Sequence, residues 1–223
     1  MKPDQKARPA EQSKAGRVGR PRRLSTHQIV MAAIELADGQ GLGELSMPKL
    51  AKSLGVGTMT LYGYIDNKED LLDRIADQIF QGLDVPDHDD WREGLFRFLS
   101  DFRAAAVAHP ALARLLATGR ITIPAVFDIL ETFFQKMTDD GAPVEDAVRT
   151  FYAALTYTIG FVLWEIPRAR TQPETAYADQ WAGLISQLDP HSFPILTGIA
   201  GGVVPTVAST DQFSWGLNRI LNG

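Results

Sequence analysis

Residues 46–72 of this chain read SMPKLAKSLGVGTMTLYGYIDNKEDLL and contain the most informative structural pattern in the sequence. Ser46 precedes an apolar helical pattern, and we expect it to cap the second helix of the chain. Gly55 is expected to end that helix, because glycine readily adopts the left-handed backbone conformation found after helix ends. After a short turn, Thr58 is expected to cap a third helix that runs to about Ile65. Two short helices joined by a glycine-containing turn predict a helix-turn-helix.

The neighbouring residues predict how this unit begins, ends and packs. Ser25 and Gln28 have the spacing of a capping box at the start of the first helix, and Asn67 with Asp70 opens the fourth. Five apolar residues are placed to pack the second and third helices together, namely Leu50, Ala51, Leu54, Val56 and Leu61.

Charge is unevenly distributed along the chain. The net charge of −5 would by itself argue against a nucleic-acid partner. However, residues 1–68 carry 11 Lys and Arg against 6 Asp and Glu, whereas residues 69–223 carry 11 against 21. A basic N-terminal part can meet phosphate, and an acidic remainder is repelled from it. We therefore expect a disordered basic arm (1–23), a helix-turn-helix domain (24–70) and a larger C-terminal helical domain (71–223) for ligand binding and dimerisation.

The outward face of the predicted third helix carries short or hydroxylated side chains and little negative charge. Such residues contact base edges, thymine methyls and phosphates in a major groove. Lys68, at the start of the fourth helix, is placed to meet a phosphate with help from the helix dipole. From geometry alone, a packing unit that never meets DNA is an alternative. The candidate DNA-contacting residues are Thr58, Met59, Thr60, Tyr62, Tyr64, Lys68, Ser46 and Lys49.

At these positions the sequence resembles the TetR family of transcriptional repressors. The resemblance covers residues 25–83 and includes Leu54-Gly55-Val56, Thr60-Leu61-Tyr62 and Asn67-Lys68-Glu69-Asp70-Leu71-Leu72. It implies an all-α homodimer that binds a palindromic double-stranded DNA operator through the third helix, with a phosphate contact from Lys68. Tetracycline repressors carry a base-reading arginine early in the second helix where this chain has Pro48, so a different operator sequence is expected.

The rest of the chain reads as helices, and a polar loop is expected at 169–179. The expected helices lie at about 91–108, 111–116, 123–137, 144–165, 180–188, 194–200 and 211–221. The helices at 144–166 and 211–221 are the candidate dimer contacts, as two halves of a four-helix bundle.

An aromatic-rich interior is expected in this C-terminal domain. Most aromatic stripes are plain core, but helices around an apolar pocket also build small-molecule sites. The expected interior comprises Phe98, Phe102, Phe127, Phe133, Phe134, Phe151, Tyr152, Tyr157, Phe161 and Trp164. The candidate ligand-binding residues are Phe102, Arg103, His109, Phe133, Phe134, Tyr152, Thr156 and Trp164.

Residues 91–166 also resemble, more loosely, the ligand domain of the tetracycline repressors. The resemblance implies a histidine for the magnesium-bound drug, and residues 114–122 contain none. Phe133 stands where a polar drug contact is expected. We therefore expect a small hydrophobic or amphipathic effector other than tetracycline–magnesium. A ligand-blind regulator or an activator with the same DNA-binding head is the alternative.

Several classes of chemistry have no support in the sequence. The chain has no cysteine, which excludes disulfides, thiolate metal sites and cysteine nucleophiles. Its four histidines lack paired ligand spacing, and no phosphate loop or nucleophile motif occurs. No metal, cofactor or enzymatic activity is expected, although an enzyme or a ligand carrier with a vestigial helix-turn-helix is the competing class. Without a signal-peptide pattern or a membrane-spanning stretch, a cytoplasmic protein with no membrane partner is expected.

Overall fold

The computed structural model describes residues 24–117, 124–171, 174–199 and 209–223, which are helical and contain no strand. The predicted all-α fold is confirmed. The predicted arm at 1–23 lies outside the described residues. A 3₁₀ turn, Leu42–Glu44, precedes the second helix. In chain order the helices are α1 (Thr26–Gln40), α2 (Met47–Leu54), α3 (Thr58–Leu61), α4 (Lys68–Phe80), α5 (Trp91–Ala108), α6 (Pro110–Ala117), α7 (Pro124–Asp139), α8 (Val144–Thr171), α9 (Glu174–Ile185), α10 (Pro194–Ile199) and α11 (Thr210–Asn222).

Side-chain caps begin three helices at the N-terminal end of the chain. Ser25 Oγ accepts from the Gln28 backbone N–H at 3.2 Å, and the Gln28 side chain accepts from the Ser25 N–H at 3.0 Å. Ser46 caps α2 and Asn67 caps α4, each through a side-chain oxygen. Gly55 ends α2 with φ 68°, in the left-handed region. Glycine adopts this conformation without a steric clash because it has no Cβ. The cap predictions at these positions are confirmed.

The third helix is shorter than predicted. α3 ends at Leu61, and its cap position is Gly57, which makes no side-chain cap bond. The prediction that Thr58 caps this helix is therefore wrong, because Thr58 is its first residue. The chain then turns, and the Ile65 N–H donates to the Leu61 carbonyl at 2.9 Å. Both Leu61 and Ile65 are fully buried, so this turn serves to place both side chains in the core.

The long helix α8 continues past its predicted end. Its sequence predicted an end before Pro167 and a polar loop at 169–179, but α8 and α9 occupy most of that segment. Ile166 is buried, and the Glu165 carboxylate is held by Arg103 of α5. An interior proline removes one backbone hydrogen bond. The tertiary contacts made just before Pro167 offset that loss.

Helix α4 packs in both parts of the molecule. It contacts α1 on one side and α6 and α7 on the other. Leu71 and Ile75 are fully buried, and Phe80 at its end stacks on Phe102 of α5 with ring centroids 5.8 Å apart. A boundary after residue 70 therefore falls inside the first turn of α4. The division into domains stays a prediction, and α4 is one of the elements that join the two parts.

Helices α5, α8 and α11 form the frame of the C-terminal part. Arg103 of α5 donates to both carboxylate oxygens of Glu165 on α8, at 2.8 and 2.6 Å, and to Thr210 Oγ1 on α11 at 3.3 Å. Its guanidinium also lies 4.9 Å from the ring centroid of Phe213. Both members of the ion pair are largely buried. A desolvated bidentate pair is directional, so it defines how the three helices meet.

The predicted aromatic interior is only partly correct. Phe127, Tyr152 and Trp164 are exposed to 61%, 48% and 50%, so their assignment to the interior is wrong. Helix α8 is apolar on more than one face, and one chain covers only part of it. The predicted interior residues that are buried or partly buried are Phe98, Phe102, Phe133, Phe134, Phe151, Tyr157 and Phe161.

Gly216 permits the close approach of α11 to α8. A Cβ added here would lie 2.2 Å from Tyr157 Oη and 2.6 Å from its Cζ. The Tyr157 hydroxyl donates to the carbonyls of Gln212 and Phe213, both at 3.2 Å, so the ring has little freedom to move. Burial raises the pKa of this hydroxyl, and nearby Arg103 acts in the opposite direction. The hydroxyl therefore stays protonated and able to donate at neutral pH.

Gly216→Ala is expected to lower the free energy of unfolding by about 1–3 kcal/mol, because the added methyl overpacks the α8–α11 contact. Urea denaturation followed by circular dichroism measures this change. Gly183→Ala in α9 is the matched control, since no heavy atom lies within 4 Å of its added Cβ. That variant should be neutral or stabilised by up to about 1 kcal/mol. Equal destabilisation by both substitutions would contradict the packing argument.

Candidate nucleic-acid interface and ligand cavity

Uncharged side chains surround the short helix α3. Leu61 is fully buried, whereas Met59, two residues earlier, is 81% exposed. Tyr62 and Tyr64 follow the helix and are 46% and 37% exposed. Thr58 is half-buried and Thr60 is exposed. Burial of Leu61 thus orients α3 so that these other side chains are presented to the outside.

The cations beside α3 differ in whether they form an ion pair within the chain. Lys68 begins α4, is half-buried, and has no ion pair among the described residues. The Lys49 ammonium instead pairs with Glu44, and this hydrogen bond lowers the pKa of the Glu44 carboxyl. Ser46 Oγ accepts from the Lys49 backbone N–H at 3.4 Å. Among the predicted DNA-contacting residues beside α3, Lys68 is therefore available for a phosphate contact. Lys49 and Ser46 already have partners within the chain.

A cavity of about 300 Å³ lies among helices α4 to α8. Five of its eleven lining residues are aromatic, and Tyr152 alone among them has a polar side-chain group. An apolar chamber with few polar groups is typical of a small-molecule site. Because none of the described residues that line it is charged, this cavity is suited to binding an apolar molecule. The lining residues are Phe80, Phe98, Phe102, Leu116, Val126, Ile129, Leu130, Phe151, Tyr152, Leu155 and Ile159.

Four of the eight predicted ligand-binding residues lie at or behind this cavity. Phe102 and Tyr152 line it. Phe133 is fully buried and packs on Phe151, with ring centroids 5.8 Å apart. Phe134 meets the same ring edge-on at 5.6 Å. Phe133 and Phe134 are not among the lining residues; they support Phe151 from behind.

The structure does not bring the other four predicted ligand-binding residues to the cavity. Arg103 is engaged in the ion pair on α8. His109 Nδ1 lies 2.8 Å from Asp38 Oδ2 at the end of α1, so this residue links α6 to the N-terminal head. Thr156 and Trp164 are exposed on α8. Polar and aromatic residue types alone did not indicate which face of each helix would turn inward.

Sequence reasoning missed most of the cavity wall. Phe80, at the end of the fourth helix, was not singled out, and the aliphatic residues of α7 look like ordinary core. The available signal was spacing, since apolar residues recur at i, i+3 and i+4 on α7 and at i, i+4 and i+8 on α8. Spacing identifies an apolar face, but it does not distinguish a filled core from a cavity.

Two further observations concern the part of the chain that the structure describes. No three histidine, aspartate or glutamate side chains there are grouped so that they could hold a metal ion. None of its helices combines the length and the apolar character needed to cross a bilayer.

A helix-turn-helix head joined through one helix to an apolar chamber defines the class as DNA-binding transcriptional regulators with a helical effector domain. Two family models match this chain. "Bacterial regulatory proteins, tetR family" matches residues 29–75, and "Tetracyclin repressor-like, C-terminal domain" matches residues 85–223. The chain belongs to the TetR family of transcriptional regulators.

Individual relatives agree with this assignment. The HTH-type transcriptional repressor DrrR1 of Streptomyces coeruleorubidus is 28% identical over 214 residues, covering 90% of this chain and 77% of that protein. Tetracycline repressor protein class E of Escherichia coli is 30% identical over 148 residues, covering 64% of this chain and 69% of that protein. These relatives are regulators of transcription, not enzymes.

Solved structures of the family have the same fold. ActR of Streptomyces coelicolor in complex with actinorhodin has a TM-score of 0.76 and 28% identity, covering 90% of this chain and 96% of that one. BioQ with its double-stranded DNA operator has a TM-score of 0.57 and 28% identity, covering 66% and 90%. Double-stranded DNA operators, small-molecule effectors and a second copy of the chain are the partners of regulators in this family.

Glu44→Gln is expected to raise the affinity for duplex DNA about two- to fivefold at low salt, because it removes a negative charge beside α3 and frees Lys49. The dependence of log affinity on log salt should steepen by up to about one. Fluorescence anisotropy between about 50 and about 200 mM salt measures both quantities. Glu93→Gln on α5, which breaks a comparable exposed pair with Arg97, should change neither. The same gain from both variants would contradict a local role for Glu44.

Proposed function

We propose that this chain is a ligand-responsive repressor that binds a palindromic operator as a homodimer and leaves it when a small molecule fills the cavity. The observation that carries the proposal is the position of α4. It begins at Lys68, next to the helix-turn-helix formed by α2 and α3 (the reading head), and ends at Phe80 in the cavity wall. Its 13 residues span about 20 Å. The repressors among the relatives support repression as the direction of regulation.

The reading head supplies two kinds of DNA contact in this proposal. The uncharged residues around α3 face base edges in the major groove, and Lys68 meets a phosphate at the start of α4. In this arrangement Ser46 and Lys49 lie along the neighbouring sugar–phosphate backbone of the DNA. Phosphate contacts fix the register, and base contacts select the sequence. The BioQ complex with its operator supports duplex DNA as the target. The base-facing residues are Thr58, Met59, Thr60, Tyr62 and Tyr64.

A second copy of the chain would cover the outer faces of α8 and α11. Leu163 and Trp164 on α8 and Trp215 on α11 are large apolar side chains that a single chain leaves exposed. Exposed apolar groups on two packed helices are typical of a subunit interface. A twofold axis there would place two reading helices about 34–36 Å apart, in successive major grooves.

The effector that fits the cavity is a mainly apolar, ring-containing small molecule. The volume of about 300 Å³ lies at the lower end of the range for ligand sites, and aromatic rings form much of the wall. Tyr152 offers one polar anchor. ActR complexes with actinorhodin and with (S)-DNPA support small-molecule control in this family. Phe133, buried behind the wall, gives no polar contact for a tetracycline–magnesium complex.

The contact between Phe80 and Phe102 provides the route from effector to DNA. Both rings line the cavity and stack on each other, so an occupant that displaces either one moves the end of α4. Asp38 adds a second link, because it contacts His109 and accepts from the Ala111 N–H at 3.3 Å at the start of α6. The effector shifts the equilibrium only by its different affinity for the two head spacings.

The alternative is a ligand-blind regulator or an activator with the same head. The apolar cavity favours the ligand-responsive form, because a ligand-blind domain has no need of a cavity beside α4. We propose no enzymatic activity for this protein. Since the proposed target is DNA, the proposed location is the cytoplasm.

Lys68→Ala and Tyr62→Ala are expected to weaken operator binding at least tenfold without unfolding the chain, because both side chains are surface groups at the interface. Lys68→Ala should also reduce the salt slope by about one. Gel-shift titrations at several salt concentrations measure both effects. Arg97→Ala, an exposed cation on α5, is the control and should bind like the unaltered chain. Unchanged operator affinity in both head variants would count against the proposed interface.

Leu155→Trp is expected to fill the cavity and abolish the response to effector while operator affinity is kept. Fused-ring aromatic compounds that raise the melting temperature of the unaltered chain should leave this variant unshifted, since binding to the folded state alone stabilises it. Thermal shift and gel-shift release, run with the same compounds, are the measurements. A compound that still releases the Leu155→Trp variant from DNA would place the effector site elsewhere.

A further inference from the structure

The segment from Gly57 to Ile65, which contains α3, lacks every side-chain type that hydrogen-bonds a base in a bidentate way. The strongest direct contacts to guanine, adenine or cytosine use guanidinium, ammonium, amide or carboxylate groups. None occurs from Gly57 to Ile65, where the sequence is GTMTLYGYI. Of the two lysines on α2, Lys49 is paired with Glu44, and Lys52 lies outside this segment. Selection of bases by this head therefore depends on another kind of contact.

Met59 is the apolar side chain best placed to make that contact. Its exposure of 81% is the highest of any large hydrophobic residue in the described ranges. It is the second residue of α3, and N-terminal residues of a recognition helix approach base edges most closely. Burial of Leu61 in the core holds α3 in the orientation that exposes Met59. A thioether side chain makes mainly apolar contacts, so it needs an apolar group on the DNA.

The major groove of unmodified DNA offers the C5 methyl of thymine as its apolar group. We infer that the operator presents thymine methyls to α3 and that Met59 is the residue that selects them. This inference rests on the proposed function and specifies which bases the head prefers. Thr58 and Thr60 flank Met59, and each adds one methyl and one hydroxyl. A single hydroxyl can donate to thymine O4 or adenine N7, so both fit an A·T pair.

The size of the effect follows from the burial of one methyl group. Removing a methyl from water is worth roughly fourfold in affinity. A twofold dimer makes the same contact in each half-site, so loss of both methyls costs about fifteenfold, which is two such factors multiplied. An effect of this size is readily measured in a direct titration.

The first step of the test obtains the operator. The full chain, without effector, selects duplexes from a random library, and the enriched sequence is expected to place thymines where α3 meets each half-site. Failure to enrich any sequence would overturn the proposed DNA-binding function itself. Enrichment of a site without thymine in either half would overturn only the present inference.

The second step replaces single thymines of the selected site by deoxyuridine, which removes the C5 methyl and keeps every hydrogen-bonding group. Affinity is expected to fall roughly fourfold at one or two thymines in each half-site and to stay unchanged at the others. Equal affinity for the thymine and uracil duplexes at every position would overturn the inference while leaving specific DNA binding intact.

The third step assigns the methyl contact to Met59 by a double-mutant cycle. In Met59→Ala the ratio of thymine to uracil affinity should fall to about one, and in Met59→Leu, which keeps the apolar bulk, it should persist. Met31→Ala, a 38%-exposed methionine on α1, is the matched control and should keep the full ratio. A ratio that stays at roughly fourfold in Met59→Ala would overturn the assignment to this residue. Because Met59 is exposed, neither substitution should alter the melting temperature.

Discussion

The packing of α4 at both of its ends is the constraint on which the rest of this structure depends. Its first half is buried against α1, and its last residue, Phe80, stacks on Phe102 in the cavity wall. Packed interiors have a few discrete arrangements rather than a continuum. In the proposed mechanism, a ring displaced at Phe80 moves the helix as a unit, and Lys68 at the other end moves with it. The link from Asp38 to His109 keeps the head from shifting independently of α6.

In the proposed complex, general affinity for DNA and selection of bases depend on different residues of the reading head. The net positive charge of the N-terminal part attracts phosphate without regard to sequence, and the acidic remainder turns the other end of the chain away from DNA. Residues 57–65, which include α3, carry no charge, so they add little to this general attraction. Their exposed methionine, threonines and tyrosines contribute only where the bases offer matching groups. The pairing of Lys49 with Glu44 reduces the general attraction further.

The C-terminal frame combines polar direction with close packing. The bidentate pair of Arg103 and Glu165 sets the angle between α5 and α8, and the absence of a Cβ at Gly216 lets α11 approach Tyr157. Hydrophobic contacts alone would tolerate several arrangements of three apolar helices, because they have little directional preference. With the inner faces held in this way, large apolar side chains remain exposed on the outer faces of α8 and α11, which form the surface proposed for a second copy.

Local sequence patterns were sufficient to predict the all-α fold, the caps at Ser25, Ser46 and Asn67, and the exposed residues around α3. These features depend on residue spacing within one or two helical turns. The end of α3, the passage of α8 through Pro167 and the composition of the cavity followed from the packing of helices against one another. This packing places Phe80 in the cavity wall. It places Arg103, His109, Thr156 and Trp164 away from the cavity. The physical reason is that a local pattern defines the apolar face of a helix, whereas the contacts of that face depend on the packing of helices distant in sequence.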